Sequence, residues 1–344
     1  MDKRIEYLDF LKFFAIFSVL LGHSVEQISA DLFWDHPLWE FIYSYHMPLF
    51  MFLCGFFFLS SLKKPFWKMA GAKFRQLGVP SLTAFAMQLL SWFFFGITFC
   101  ELSFTGFMDC VWFLKCVLFC YLIMYPLCKL FKNDISASLA ASILIILIPG
   151  SDIVNLNFML PMFCLGIVCG KRIDFIEEHR KWLFPLSLIL FIILLFFWSG
   201  RLTVYMVSTK IVDFVSGTVD WHNLMITIYR LLLGMAGTMT FFLLAKPLYA
   251  HLSKLHIMPT FCRIGGATLG IYFLQTFLLE IFINKLGIYV PLPWSYTAAL
   301  LIAVFELIIC YNLVRMIRKS RLASLLILGE TTQKTKIWSE NTKS

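Results

Sequence analysis

Apolar residues run along this chain in long blocks rather than at alternating positions. The blocks fall at residues 7–27, 38–60, 78–100, 110–131, 136–149, 155–170, 182–199, 222–245, 264–284 and 293–314. Most approach the roughly 20 residues that an α-helix needs to cross the hydrocarbon core of a bilayer. The pattern therefore predicts an all-α fold, a polytopic bundle of about ten membrane-spanning helices. The fifth and sixth blocks are short, with Pro149-Gly150 between them and Pro161 inside the sixth. Such breaks are tolerated in a membrane where neighbouring helices satisfy the freed backbone groups. No repeat of fixed period and no soluble domain is visible. Residues 1–321 read as one transmembrane domain and 322–344 as a cytoplasmic tail, apolar from Leu322 to Leu328 and partly disordered beyond. The apolar patch is placed along the membrane surface, and the longest external connection, about 200–221, reads as a small lid.

Composition sharpens the choice of solvent. The 344 residues are 60% hydrophobic and 14% charged, with a mean hydropathy of +0.81. A soluble domain carries about 25% charged residues, so lipid is the solvent this chain fits. Lys3 and Arg4 precede the first block as in a signal peptide, but Asp9 and Lys12 lie inside it and no small-residue cleavage site follows. A retained first helix is expected. Charge then fixes sidedness, because cytoplasmic connections are enriched in Lys and Arg. With a cytoplasmic N-terminus, only Arg201, Lys210 and Lys285 of the 29 basic residues lie in outer connections, and Lys12, Lys115 and Arg230 lie well within spans. Both termini are thus expected in the cytoplasm. The same bias accounts for the net charge of +9 without nucleic acid. The ten cysteines are scattered through the apolar blocks without metal-ligand spacing and read as small packing residues; pairing of Cys100 with Cys110 across a short loop is the alternative.

Ionisable groups inside the blocks are conspicuous, since each costs roughly 2.5–3.5 kcal/mol at the bilayer centre on insertion scales. In the first helix, Lys12 and His23 are eleven residues apart, which returns to within about 20° of the same face at a separation of about 16 Å. Asp9 shares that stripe, about 60° from Lys12 and about 40° from His23. His46, Lys115, Arg230, Gln275, Glu280 and Glu306 lie within other helices. So many polar groups imply a polar cavity in the bundle. Transporters show the same pattern, so a permeation path is an open alternative to a catalytic centre.

Four segments holding these residues resemble the acyltransferase-3 family of integral membrane O-acyltransferases. They are Tyr7-Leu8-Asp9-Phe10-Leu11-Lys12 running to Gly22-His23, Tyr45-His46-Met47-Pro48-Leu49-Phe50 running to Gly55-Phe56, Val111-Trp112-Phe113-Leu114, and Leu269-Gly270-Ile271-Tyr272-Phe273-Leu274-Gln275. Arg75 before Pro80 is similar to a basic segment of the family ahead of its third helix. The resemblance implies transfer of an acetyl or other short acyl group from cytoplasmic acyl-CoA to a hydroxyl of a cell-surface glycan or its lipid-linked precursor, in a bacterial cytoplasmic membrane. Acetyl-CoA or another acyl-CoA is then a donor substrate, with no tightly bound cofactor and no metal. His23 is the expected base or nucleophile, and His46 a second base or an orienter of His23. Asp9 and Lys12 line the route of the pantetheine arm, and Lys73 and Arg75 meet the CoA phosphates. Lys115, Arg230, Gln275 and Glu280 hold the acceptor or the oxyanion. The chain departs from the family pattern at Lys12, where Arg is common, at Cys54, which replaces Ser, and at Gln275, where many members have His. Gln cannot exchange a proton near neutral pH, so acid–base work at that position is lost. The rival readings are a transporter or flippase for a glycan or small anion, and a glycan polymerase or ligase using a lipid-linked donor.

Overall fold

A computed structural model describes residues 5–95, 103–204, 210–213, 215–278 and 289–331. Glu280 and Cys100 lie outside the described residues, as do 332–344 of the expected tail. The apolar blocks become helices α1 (Glu6–Ser29), α2 (Pro37–Leu62), α3 (Phe66–Phe94), α4 (Trp112–Phe131), α5 (Asp134–Leu147), α6 (Ile153–Lys171), α7 (Arg180–Phe196), α8 (Trp221–Leu252), α9 (Met258–Gly265), α10 (Thr268–Leu278), α11 (Trp294–Ile317) and α12 (Arg321–Leu328). Among the described residues there is no strand; one antiparallel bridge joins Val212 to Val219.

Seven of these helices, α1, α2, α3, α4, α6, α8 and α11, are long and apolar enough to cross a membrane. The other three blocks correspond to α5, α7 and α10, of 14, 17 and 11 residues. α5 stops early because Ile148 precedes Pro149 and takes an extended backbone, the conformation that a following proline imposes. The helix starts carry local signals. Asn133 caps α5 by accepting from the Ile135 N–H at 3.0 Å, and Asp220 caps α8 by accepting from the Asn223 N–H at 2.9 Å. Each satisfies a backbone donor that the helix leaves unpaired. Exposed tryptophans Trp67, Trp182, Trp221 and Trp294 stand near the starts of α3, α7, α8 and α11, where an amphipathic ring suits the membrane interface.

α1 is the hub of the bundle, packed against α2, α8, α9, α10 and α11. α2 and α6 cross at close range. A Cβ at Gly55 would sit 1.9 Å from the Phe163 carbonyl oxygen, and one at Gly166 would sit 2.1 Å from that of Phe52. The two backbones touch, as small residues permit between membrane helices. Gly166→Val is expected to cut the yield of monodisperse solubilised protein severalfold, whereas Gly71→Val, with nothing within 4 Å among the described residues, should not. A wild-type elution profile for Gly166→Val would contradict this contact. Among the described residues the nine cysteines form no disulfide with one another. The apolar patch after Arg321 forms α12, which turns back onto α3, α10 and α11 and buries Ser324 and Leu328.

At the opposite end from α12, the chain after α7 is strapped over the start of α2. The Gly200 N–H donates to Glu40 Oε1 at 2.9 Å, the Trp198 indole to the Glu40 carbonyl at 2.8 Å, and Arg201 forks onto Asp35 at 2.8 and 2.6 Å. The fork holds the Asp35 carboxyl below the usual carboxylate range.

Candidate active site

His23 lies near the far end of α1, and Glu26 lies three residues on, hence on the same helix face. The imidazole Nδ1 is 2.6 Å from Glu26 Oε2. The other carboxylate oxygen, Oε1, accepts from the Trp39 indole N–H at 2.9 Å and from the Tyr43 hydroxyl. Trp39 and Tyr43 are one turn apart on α2, with ring centroids 4.0 Å apart. Three donors thus converge on one carboxylate. An ionised carboxylate only accepts, so Nδ1 carries the proton and Nε2 is the nitrogen suited to proton transfer.

His46 sits behind this group. Its Nδ1 is 2.9 Å from the Ile42 carbonyl, which fixes that nitrogen as the donor, and its ring is 4.6 Å from that of Tyr43. It is buried and within electrostatic range of both His23 and Glu26. Glu306 of α11 is buried within electrostatic range of His23, and neither of its oxygens has a hydrogen-bond partner among the described residues. Gln275 of α10 is also buried; its amide nitrogen donates to Thr276 Oγ1 at 3.3 Å, and its oxygen has no partner among the described residues.

A second feature lies at the other end of α1. A cavity of about 320 Å³ opens between α1, α2, α3, α4 and α10, with Lys12, Cys54, Phe57, Lys73, Gln76 and Tyr121 in its wall. That size falls in the range of small-molecule sites. Lys12 is 3.1 Å from Asp9 and lies over the Phe57 ring at 4.5 Å. The Lys73 ammonium is 3.9 Å from the centroid of Tyr121 and 3.3 Å from Gln76 Oε1. Two cations and their aromatic supports therefore share one chamber.

The chain matches the model of the acyltransferase-3 family, described as an acyltransferase domain, over residues 5–312. It belongs to that family. Among its relatives are two proteins named nodulation protein NolL. The one from Sinorhizobium fredii is 31% identical over 195 residues, covering 53% of each chain. The one from Mesorhizobium japonicum is 27% identical over 213 residues, 57% of this chain and 56% of the relative. The chain spans about half the length of each. No solved structure matches it.

Membership in the acyltransferase-3 family makes acyl transfer within a multi-helix membrane protein the chemistry to be served. The structure places the expected residues in three groups. His23 and His46 stand together around Tyr43, joined by Glu26, which sequence reasoning missed although His-x-x-Glu spacing on a helix signals it. Lys12, Asp9 and Lys73 gather at the cavity, while Arg75 is exposed and not among its lining residues. Two positions further around the helix turns it away. Lys115 and Arg230 are buried cations that donate to backbone carbonyls, Lys115 to Cys110 and Arg230 to Thr203. Lys115 also lies 4.7 Å over Phe107 and secures the left-handed Val111 (φ 46°) that starts α4. Among the described residues no group of three or more His, Cys, Asp or Glu is disposed to hold a metal ion.

Proposed function

We propose that this protein is a ten-span O-acyltransferase of a bacterial cytoplasmic membrane, with both termini cytoplasmic. It moves an acetyl or other short acyl group from cytoplasmic acyl-CoA to a hydroxyl of a cell-surface glycan or its lipid-linked precursor. The observation that carries the reading is the His23–Glu26 pair at 2.6 Å, on the same helix as a cation-lined cavity. Basic residues crowd the side on which that cavity opens, which is where CoA is found.

The steps follow from the groups present. The phosphates of acyl-CoA lie against Lys12 and Lys73, and the pantetheine arm runs up the α1 stripe, about 16 Å from Lys12 to His23. His23 Nε2 takes the proton of the acceptor hydroxyl as its oxygen attacks the thioester carbonyl. Glu26 holds the imidazolium that results. The tetrahedral intermediate collapses, the C–S bond breaks, and the CoA thiolate recovers the proton from His23. His46 and Glu306 flank the acceptor side, and Gln275 offers a hydrogen bond but no proton exchange.

The test is turnover of radiolabelled acetyl-CoA and longer acyl-CoAs by purified protein in nanodiscs, with and without glycan acceptors. Release of CoA is expected. Absence of binding and turnover in a monodisperse sample would transfer the reading to a transporter or flippase. The cavity makes a separate prediction: Lys73→Ala should raise the KM for acyl-CoA about tenfold, equivalent to about 1.4 kcal/mol, whereas Arg75→Ala should change it less than threefold. Equal effects of the two would mean that general basicity, not the cavity wall, binds the donor.

A further inference from the structure

The segment after α11 closes on both walls of the donor cavity at once. Arg318, at the end of α11, forks onto Glu330 with bonds of 3.0 and 2.7 Å, and both side chains are largely buried. Between them α12 is capped at its start by Ser320 and at its end by Gly329, whose N–H donates to the Leu325 carbonyl at 3.1 Å. Gly329 has φ 61°, in the left-handed region that glycine adopts without penalty. A Cβ at Gly329 would lie 2.5 Å from Gln76 Cα and 2.7 Å from the Arg75 carbonyl oxygen. This places the end of α12 directly against the π-helical turn Phe74–Gly78, which follows Lys73 and supplies Gln76 and Leu77 to the cavity. One residue earlier, Leu328 occupies the space beside Gly270, where a Cβ would meet Leu328 Cδ2 at 2.6 Å. Gly270 is flanked on α10 by Leu269 and Tyr272, which line the opposite wall.

We propose that α12 with Gly329 and Glu330 is a positioning element for the donor site, acting through the Lys73–Gln76 turn on one side and the start of α10 on the other. The Arg318–Glu330 pair fastens the segment, Leu328 sets the α10 wall, and Gly329 lets the backbones approach closely enough to hold Lys73 over Tyr121. None of these residues touches the reacting groups, so their effect is on donor binding rather than on the chemical step. The assignment rests on the donor reading of the cavity. Cys54 supplies a readout independent of CoA: it lines the cavity and is the described cysteine that is not fully buried.

The experiment uses the full chain with Gly329→Val and, as a variant that introduces no clash, Glu330→Gln, each checked for a monodisperse elution profile. Acetyl-CoA binding and turnover are measured alongside the rate of Cys54 alkylation by a maleimide, followed by peptide mass spectrometry. Gly329→Val should weaken acetyl-CoA binding tenfold or more and speed Cys54 alkylation at least fivefold, with kcat at saturating donor within threefold of wild type. Glu330→Gln should shift both in the same direction by a smaller factor, and it carries the test if Gly329→Val does not fold. Wild-type donor affinity and wild-type Cys54 rates in folded variants would overturn the positioning role while leaving the donor site intact. If no form binds acyl-CoA, the donor reading fails, and the Cys54 rate alone upholds or overturns the link between α12 and the cavity.

Discussion

His23→Ala is expected to reduce acyl transfer to acceptor by roughly 10²–10⁴-fold, the usual contribution of a positioned general base. The loss should appear in kcat, because His23 stands about 16 Å along the helix from Lys12 and donor affinity is set at the cavity. The fold should tolerate the change. Glu26 keeps its bonds from Trp39 and Tyr43, and the His23 side chain is 30% exposed rather than sealed in the core. The measurement is CoA release and labelled glycan formation by wild type and variant at saturating acetyl-CoA. A variant retaining more than a tenth of wild-type kcat would end the proposed role of His23 as the base.

Glu26→Gln tests the arrangement rather than the base itself, and its effect should be of similar size. Trp39 and Tyr43 both donate to Oε1, so the amide of a Gln would present its oxygen to them and its NH₂ to His23. The imidazole Nδ1 would then have to accept, which moves the ring proton to Nε2 and removes the lone pair that takes the hydroxyl proton. Forcing the wrong tautomer in this way costs on the order of 10⁴ in kcat where an orienting carboxylate supports a catalytic histidine. Glu26→Asp keeps the charge but shortens the reach, and it should lie between wild type and Glu26→Gln. Equal activity of Glu26→Gln and wild type would show that the 2.6 Å contact is a packing feature without catalytic weight. Loss of activity together with loss of donor binding would assign Glu26 to the framework instead.

These expectations differ in how far they were legible before the fold. The stripe of Asp9, Lys12 and His23 follows from helical periodicity within one segment, and the pairing of His23 with Glu26 is equally local. The closure of Glu26 by Trp39 and Tyr43 is not, because those donors reach it only through the angle at which α2 meets α1. Lys73 and Arg75 illustrate the same limit. Both are basic, two residues apart and on one connection, and sequence offers no reason to separate them. The π-helical turn and the packing of α12 behind it decide that Lys73 enters the cavity and Arg75 does not. Lys115 and Arg230 read as cations that hold the acceptor or the oxyanion; each also donates to a backbone carbonyl, of Cys110 and Thr203 respectively, which helical periodicity does not reveal.

What the sequence determined by itself is therefore the solvent, the all-helical class and the family. Lipid offers no hydrogen bonds, so the backbone must satisfy itself within each segment, and long apolar blocks have no structure open to them but helices. The motifs that carry the family lie within single segments for the same reason. Which helix faces meet, which of several buried charges share a chamber, and what closes that chamber from behind were decided only by the tertiary structure. Those outcomes depend on close backbone contacts such as Gly55 with Phe163 and Gly329 with Gln76, between residues far apart in sequence, where the shape of one helix surface selects its neighbour.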